Sequence, residues 1–128
     1  MRRILRKKVL VVDDDAGLQD LLQAILELED HEVIIAENGL VALEKIEQVK
    51  PDLIFLDLMM PYMDGLAFTK ELERRGLRSS IPIIVLTSDV RAQTTLEYKG
   101  FDSYLTKPFD LRRFLDEMRK LLAPVHTY

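Results

Sequence analysis

Four apolar runs of this sequence end on groups that can do chemistry. KVLVV is closed by Asp13, Asp14 and Asp15, LIFL by Asp57, IIVL by Thr87 and Ser88, and SYLT by Lys107 and Pro108. A carboxylate at the tip of a buried strand is either well paired or kept for a reaction, because desolvating an unpaired charge is costly. Two or three carboxylates within about 5 Å repel by roughly 1 to 3 kcal/mol per pair at effective dielectrics of about 20 to 80. A protonated acid offsets that repulsion, and so does a hard divalent cation. Mg²⁺ takes one or two carboxylates together with carbonyls, waters and phosphate oxygens. A lysine beside such a cation holds an anion next to the metal. Metal, ammonium and hydroxyl around one carboxylate are the parts that phosphoryl transfer needs.

These groups share a site only if the runs they terminate lie side by side and point the same way. Strand-length apolar runs alternate with stretches of helical period, which predicts a parallel sheet with helices on both faces. Strands are predicted over 8–13, 32–36, 52–57, 82–87 and 103–106, most of them continuous in Val, Ile and Leu as doubly buried strands are. The first helix, 16–29, carries a stripe of Leu18, Leu21, Leu22, Ile25 and Leu26. The last, 109–122, carries Leu111, Phe114, Leu115, Met118, Leu121 and Leu122. Helices over 39–49 (Leu43, Ile46) and 65–75 (Phe68, Leu72) lie between, with Asp64 capping the start of the latter and Gly76 its end. The fourth helical stretch, 90–99, is the poorest, with only Val90, Ala92 and Leu96 for a stripe and Thr94 and Thr95 against it. In an open parallel sheet the C-terminal strand ends share an edge, so the acids, hydroxyls and Lys107 converge there.

Composition narrows the function classes. With 128 residues, 48% hydrophobic and 31% charged, the chain has the makings of one globular domain spanning 1–128, its core over about 8–123, with no output domain expected. A net charge of −4 gives no bulk attraction to nucleic acid, so no direct nucleic-acid contact is expected. The absence of cysteine excludes disulfides and thiolate metal sites and suits a cytoplasmic location. The basic start MRRILRKK precedes an apolar run too short for a signal sequence, and no run reaches the roughly 20 apolar residues of a membrane span, so no membrane partner is expected. His31 and His126 fall outside the acidic constellation and read as surface residues.

VLVVDDD at 9–15, LDLMMPYMDG at 56–65, VLTS at 85–88 and YLTKPF at 104–109 together resemble the receiver domain of two-component response regulators, over nearly the whole chain. That resemblance implies a flavodoxin-like (βα)5 doubly wound α/β fold with strand order 2-1-3-4-5. It implies that Asp57 is the phosphoacceptor, and that Asp14 binds Mg²⁺ directly while Asp13 does so through water. Mn²⁺ is the alternative metal, and the Met59 backbone carbonyl completes the protein shell. Thr87 and Lys107 would hold the phosphoryl group, Tyr104 would be the aromatic that changes rotamer with the switch, and Lys107–Pro108 would be a cis peptide. The implied partners are a sensor histidine kinase or a histidine phosphotransfer protein, and a downstream protein effector. A weak homodimer through the fourth helix, fifth strand and fifth helix is the implied self-association. The chain would then be a phosphoacceptor that catalyses only its own phosphorylation and dephosphorylation.

Other readings compete. Asp14 alone could be a helix cap, and Asp15 reads as a solvated acid at the start of the first helix. Asp13 and Asp15 form the Asp-x-Asp of haloacid-dehalogenase-like phosphatases, but Gly17 stands where that family has Thr or Val and no cap insertion is present. A receiver fragment of a larger regulator and a non-phosphorylated interaction module are the remaining alternatives. The interval from Thr87 to Lys107 is shorter than in many receivers, which points to a short fourth helix and an altered partner face. Asp89, two residues past Thr87, stands where a side chain can influence water access to an aspartyl phosphate.

Overall fold

The computed structural model describes residues 6–88 and 101–122. The elements run β1 (Lys8–Val12), α1 (Ala16–Leu28), β2 (Glu32–Ala36), α2 (Gly39–Val49), β3 (Leu53–Asp57), α3 (Gly65–Arg74), a 3-10 turn (Arg78–Ser80), β4 (Ile83–Thr87), β5 (Ser103–Thr106) and α4 (Leu111–Leu122). All strand pairs are parallel and the order is β2-β1-β3-β4-β5, as the resemblance implies. The fourth predicted helix and Asp89 lie outside the described residues, as does His126. The helix predicted fifth is therefore α4 here.

Period-two alternation splits the sheet between two cores. Val9, Val11, Leu53, Phe55, Ile84, Leu86 and Leu105 pack under α1 and α4 with Leu22, Leu26, Phe114, Met118 and Leu122. Leu10, Val12, Ile54, Leu56, Ile83 and Val85 pack on the other face with Ala42, Leu43 and Ile46 of α2 and with Phe68 and Leu72 of α3. Phe55 and Phe114 stack with centroids 4.8 Å apart, and Phe109 lies 5.4 Å from Phe114. Fully burying a side chain such as Phe114 contributes about 1.5 to 3 kcal/mol, so this contact pins α4 beside the strand that carries Asp57.

The central strands β1, β3 and β4 are apolar and buried over Val9–Val12, Leu53–Leu56 and Ile83–Leu86, because both faces are covered. Two-sided burial, expected of most strands, is incomplete at the edges: β2 is only half-buried over Val33–Ile35, and in β5 only Leu105 is fully buried. Leu21 and Leu111, assigned to buried stripes, are each 52% exposed, since each sits at the margin of an arc whose centre already fills the space above the sheet. Local signals set the helix ends. Asp15, Asn38 and Asp64 are the N-caps of α1, α2 and α3, and Gly76, at φ 73°, follows α3 in the left-handed conformation glycine favours.

Candidate functional site

The C-terminal ends of β1, β3, β4 and β5 lie in register, which brings their terminal side chains to one edge. Asp57 pairs with Leu86 of β4, and Thr87 with Thr106 of β5, the residue before Lys107. Asp13 follows β1 directly, its N–H donating to the Ala36 carbonyl at 3.1 Å. Carboxylate oxygens of Asp13, Asp14 and Asp57 all lie within 4.8 Å of one another, and among the described residues this is the one acidic group placed to hold a cation. Asp13 is fully buried, Asp57 is 6% exposed and Asp14 faces solvent.

Lys107 is the counter-charge. Its Nζ lies 3.0 Å from Asp13 Oδ2 and 3.6 Å from Asp57 Oδ2, and the peptide that follows, Lys107–Pro108, is cis. The Lys107 N–H donates to the Thr87 carbonyl at 2.7 Å, tying the lysine to the end of β4. Burial draws the ammonium pKa down, but the Asp13 hydrogen bond and the charges of Asp13 and Asp57 outweigh it, so the net shift is upward and Lys107 stays charged.

Asp57 behaves in the opposite sense. Burial pushes its carboxyl up to about 6; the Met59 N–H, donating to Oδ1 at 3.0 Å, pulls down, Asp13 pushes up, Lys107 pulls down and Asp14 pushes up. Three carboxylates facing one ammonium leave excess negative charge, and all three offer hard oxygen donors. That donor set fits a small divalent cation bound by carboxylates and solvent. Asp13 already accepts from Lys107 and, at 2.9 Å, from the Asp15 N–H, whereas exposed Asp14 has room for a direct ligand bond.

Thr87 is buried at the end of β4. Tyr104 is half-buried on β5, edge-on to Phe101 at 5.9 Å between centroids, and its carbonyl accepts from Arg113 at 3.4 Å. Met59 turns its side chain outward at 73% exposure while its amide serves Asp57. Capping of α1 falls to Asp15, whose Oδ1 accepts from the Gly17 and Leu18 amides at 2.9 and 3.2 Å, so Asp14 is free of that duty.

A family model for the response regulator receiver domain matches residues 9–119. The chain belongs to that family. Among full-length relatives, this receiver is 41% identical over 120 residues to the alkaline phosphatase synthesis transcriptional regulatory protein PhoP of Bacillus subtilis, covering 92% of this chain and 49% of that one. It is 38% identical over 119 residues to the DNA-binding dual master transcriptional regulator RpaA of Synechocystis, covering 90% and 48%. The receiver thus spans about half the length of these curated relatives. Among solved structures it is similar to the response regulator TrrA of Thermotoga maritima in complex with Mg²⁺ and BeF (TM-score 0.82, 34% identity, 91% of this chain and 99% of that one). It is also similar to the chemotaxis protein CheY4 of Vibrio cholerae (TM-score 0.84, 30% identity, 92% and 100%).

Around this receiver's acidic edge, Gln19, Gly39 and Met63 were not singled out from the sequence, whereas Pro61 and Gly65 were expected to shape the loop into α3. Gln19, on α1, donates through Nε2 to the Asp13 carbonyl and so grips the turn that carries both Asp13 and Asp14. A Cβ on Gly65 would lie 2.8 Å from the Asp57 carbonyl and 2.9 Å from Leu58 Cα, so only glycine lets α3 start against the Asp57 strand. The Gly65 N–H donates to the Leu58 carbonyl at 3.1 Å. Met63 packs over Gly39, where a Cβ would meet its Cγ at 3.0 Å, joining the β3–α3 loop to the start of α2. No motif marks the bond from Gln19 to Asp13, six positions earlier, and Met63 and Gly39 stand on separate elements.

His31 is a correction. Expected at the surface, it is buried, with Nδ1 accepting the Lys7 N–H at 3.1 Å and its own N–H donating to the Leu26 carbonyl at 3.0 Å. His31 immediately precedes β2, and the Glu32 N–H donates to the Lys7 carbonyl at 2.9 Å, which sets the ring against the residue before β1. Burial lowers its pKa, against the raising influence of Glu29, Asp30 and Asp52.

Proposed function

We propose that this receiver is a phosphoacceptor switch whose Asp57 takes a phosphoryl group from a histidine kinase or a histidine phosphotransfer protein and signals through altered protein contacts or onward phosphotransfer. The observation that carries this reading is the convergence of Asp13, Asp14 and Lys107 on the nearly buried carboxylate of Asp57. One Asp57 oxygen attacks phosphorus, the P–N bond to the donor imidazole breaks, and that nitrogen leaves with the bonding electron pair, forming an aspartyl phosphate. The Met59 amide and Lys107 hold the carboxylate so that one orientation faces the donor, which reduces the entropic part of the barrier.

Asp14 as a direct ligand, Asp13 through water, Asp57 and the Met59 carbonyl would hold Mg²⁺, or Mn²⁺ in its place. Such a cation supplies charge neutralisation for the acids and the incoming phosphoryl oxygens. After transfer, Lys107 pairs with a phosphoryl oxygen and the Thr87 hydroxyl donates to another. Movement of Thr87 frees space that half-buried Tyr104 fills, so the face of β5 reports the state of Asp57. The receiver in this reading turns over only its own phosphate, acts in the cytoplasm and engages a protein effector, with weak pairing through the β5 and α4 face as its self-association.

One reading is a stand-alone regulator of the size of CheY4, all of which the match covers. A receiver within a longer regulator is the second reading, favoured by its match to about half of PhoP and RpaA. The size of the endogenous protein on an immunoblot separates the two. The chemistry is tested by intact mass after incubation with Mg²⁺ and acetyl phosphate. One phosphoryl group is expected on the parent, none on Asp57→Asn and none without metal; unlabelled parent under every condition, including a kinase donor, refutes the reading.

A further inference from the structure

The loop between β3 and α3 holds an outlier that the acceptor chemistry does not use. Tyr62 has φ 68°, in the left-handed region where a bulky side chain is uncommon. The Met63 N–H donates to the Pro61 carbonyl at 2.7 Å, so Tyr62 is the central residue of a positive-φ γ-turn, a rare and strained form. Glycine or asparagine would sit there at lower cost. Burial does not offset the strain, because Tyr62 is 84% exposed. Met59, 73% exposed, shares the loop, and Leu40, 47% exposed, begins the helix against which Met63 packs. Residues 58–63, LMMPYM, carry no charge, although the pocket they border is acidic.

Resting on the reading of Asp57 as phosphoacceptor, we propose that Tyr62, flanked by Met59, is a docking anchor for a protein phosphodonor that presents a phosphohistidine from its surface. Phosphorus must come within roughly 3 to 3.5 Å of the Asp57 carboxylate for transfer. Asp57 is recessed, at 6% exposure, so a donor that reaches it with a side chain must press its own surface against the rim. The rim offers an exposed aromatic and a methionine, residue types enriched at the centres of protein interfaces, rather than the cations that would attract a free anion. A small phosphodonor has no such surface and so gains nothing from Tyr62.

The test compares the parent with Tyr62→Asn and Tyr62→Phe, using acetyl phosphate as one donor and the autophosphorylated histidine-kinase cores of the organism that carries this sequence as the other. Acetyl phosphate should label all three equally. Transfer from the kinase core that labels the parent fastest should fall about tenfold in kcat/KM for Tyr62→Asn, chiefly through KM, and return in Tyr62→Phe. An unfolding temperature for Tyr62→Asn at or above that of the parent shows that the loop still folds once the strained residue is replaced. Equal kinase transfer to parent and Tyr62→Asn overturns the proposal, and self-association lost in Tyr62→Asn with transfer unchanged overturns it in favour of a second copy. Labelling by acetyl phosphate with no transfer from any kinase core overturns the docking and leaves the acceptor chemistry standing. If nothing labels the parent, the acceptor reading falls and the docking with it.

Discussion

The two edges of the sheet use aspartate in opposite ways. At the N-terminal edge, Asp52 stands just before β3 and clamps the first residue of β1: its N–H donates to the Lys8 carbonyl at 2.7 Å and its Oδ2 accepts the Lys8 N–H at 2.8 Å. Asp102, just before β5, does the same to the first residue of β4, donating to the Ile83 carbonyl at 3.1 Å and accepting the Ile83 N–H at 2.7 Å. Each clamp spends its carboxylate on a backbone amide and sets strand register. At the C-terminal edge, Asp13, Asp14 and Asp57 face one another and share one lysine. An acid satisfied by a fixed amide is architecture; acids gathered beyond the charge available to neutralise them keep a capacity for cations and phosphoryl groups.

The largest expected effect follows from that imbalance. Asp57 has its folded-state pKa raised to about 6 from 3.8, so the folded protein binds the extra proton between those values and its ionised form weakens the fold above them. Without metal, Asp57→Asn should therefore be more stable than the parent by about 2 to 3 kcal/mol at neutral pH. That advantage should shrink as pH falls through 6 and vanish below 3.8, measured by urea unfolding across pH. A constant difference across that range would show that the edge is not electrostatically overloaded.

The clamps should answer differently. Asp102→Ala leaves the buried Ile83 N–H without its side-chain acceptor and should cost about 1 to 2 kcal/mol, with labelling of Asp57 by acetyl phosphate unchanged. If labelling fell in proportion to stability, the two edges would not be separable. Gln19→Ala should weaken Mg²⁺ binding about tenfold by calorimetric titration while the metal-free unfolding temperature moves little, because the lost hydrogen bond orients the turn that carries Asp13 and Asp14. Undiminished Mg²⁺ affinity would leave Gln19 with no part in the site.

The smallest effect belongs to His31, at the N-terminal edge. Its folded-state pKa is lowered, chiefly by burial, so the unfolded chain binds the proton more readily. The stability it contributes is present above its ordinary value of 6.5 and lost as pH falls through the folded value, opposite in sign to Asp57. His31→Gln, compared with the parent in an Asp57→Asn background, should flatten the remaining slope below 6.5. An unchanged slope would assign it to other groups.

Much of this was legible because it is local. Strand-length runs rich in Val, Ile and Leu, ending on Asp13, Asp57 and Thr87, announced both the parallel sheet and the edge where its polar groups meet. Asp64 at the start of α3 and Gly76 after its end behaved as a cap and a left-handed stop should. What escaped was set by partners distant along the chain. Nothing in the residues around His31 says that the Lys7 amide will seek its ring, and nothing around Asp102 points to Ile83. Leu21 and Leu111 fit the helical stripe yet stand half in solvent, because a stripe gives the direction of burial and the neighbouring elements decide its width.

By itself, then, the order of residues determined that strand-length runs alternate with stretches of helical period, that three acids and a lysine sit at strand ends, and that Asp64 and Gly76 bound α3, since each depends on residues a few positions apart. Tertiary structure alone decided that Asp13 is buried and paired with Lys107 while Asp14 stays open, that burial rather than any one neighbour raises Asp57, and that an exposed tyrosine is held in a strained turn of the loop that follows β3. Desolvation and charge separation depend on what packs around a group in space, and only the folded chain supplies those surroundings.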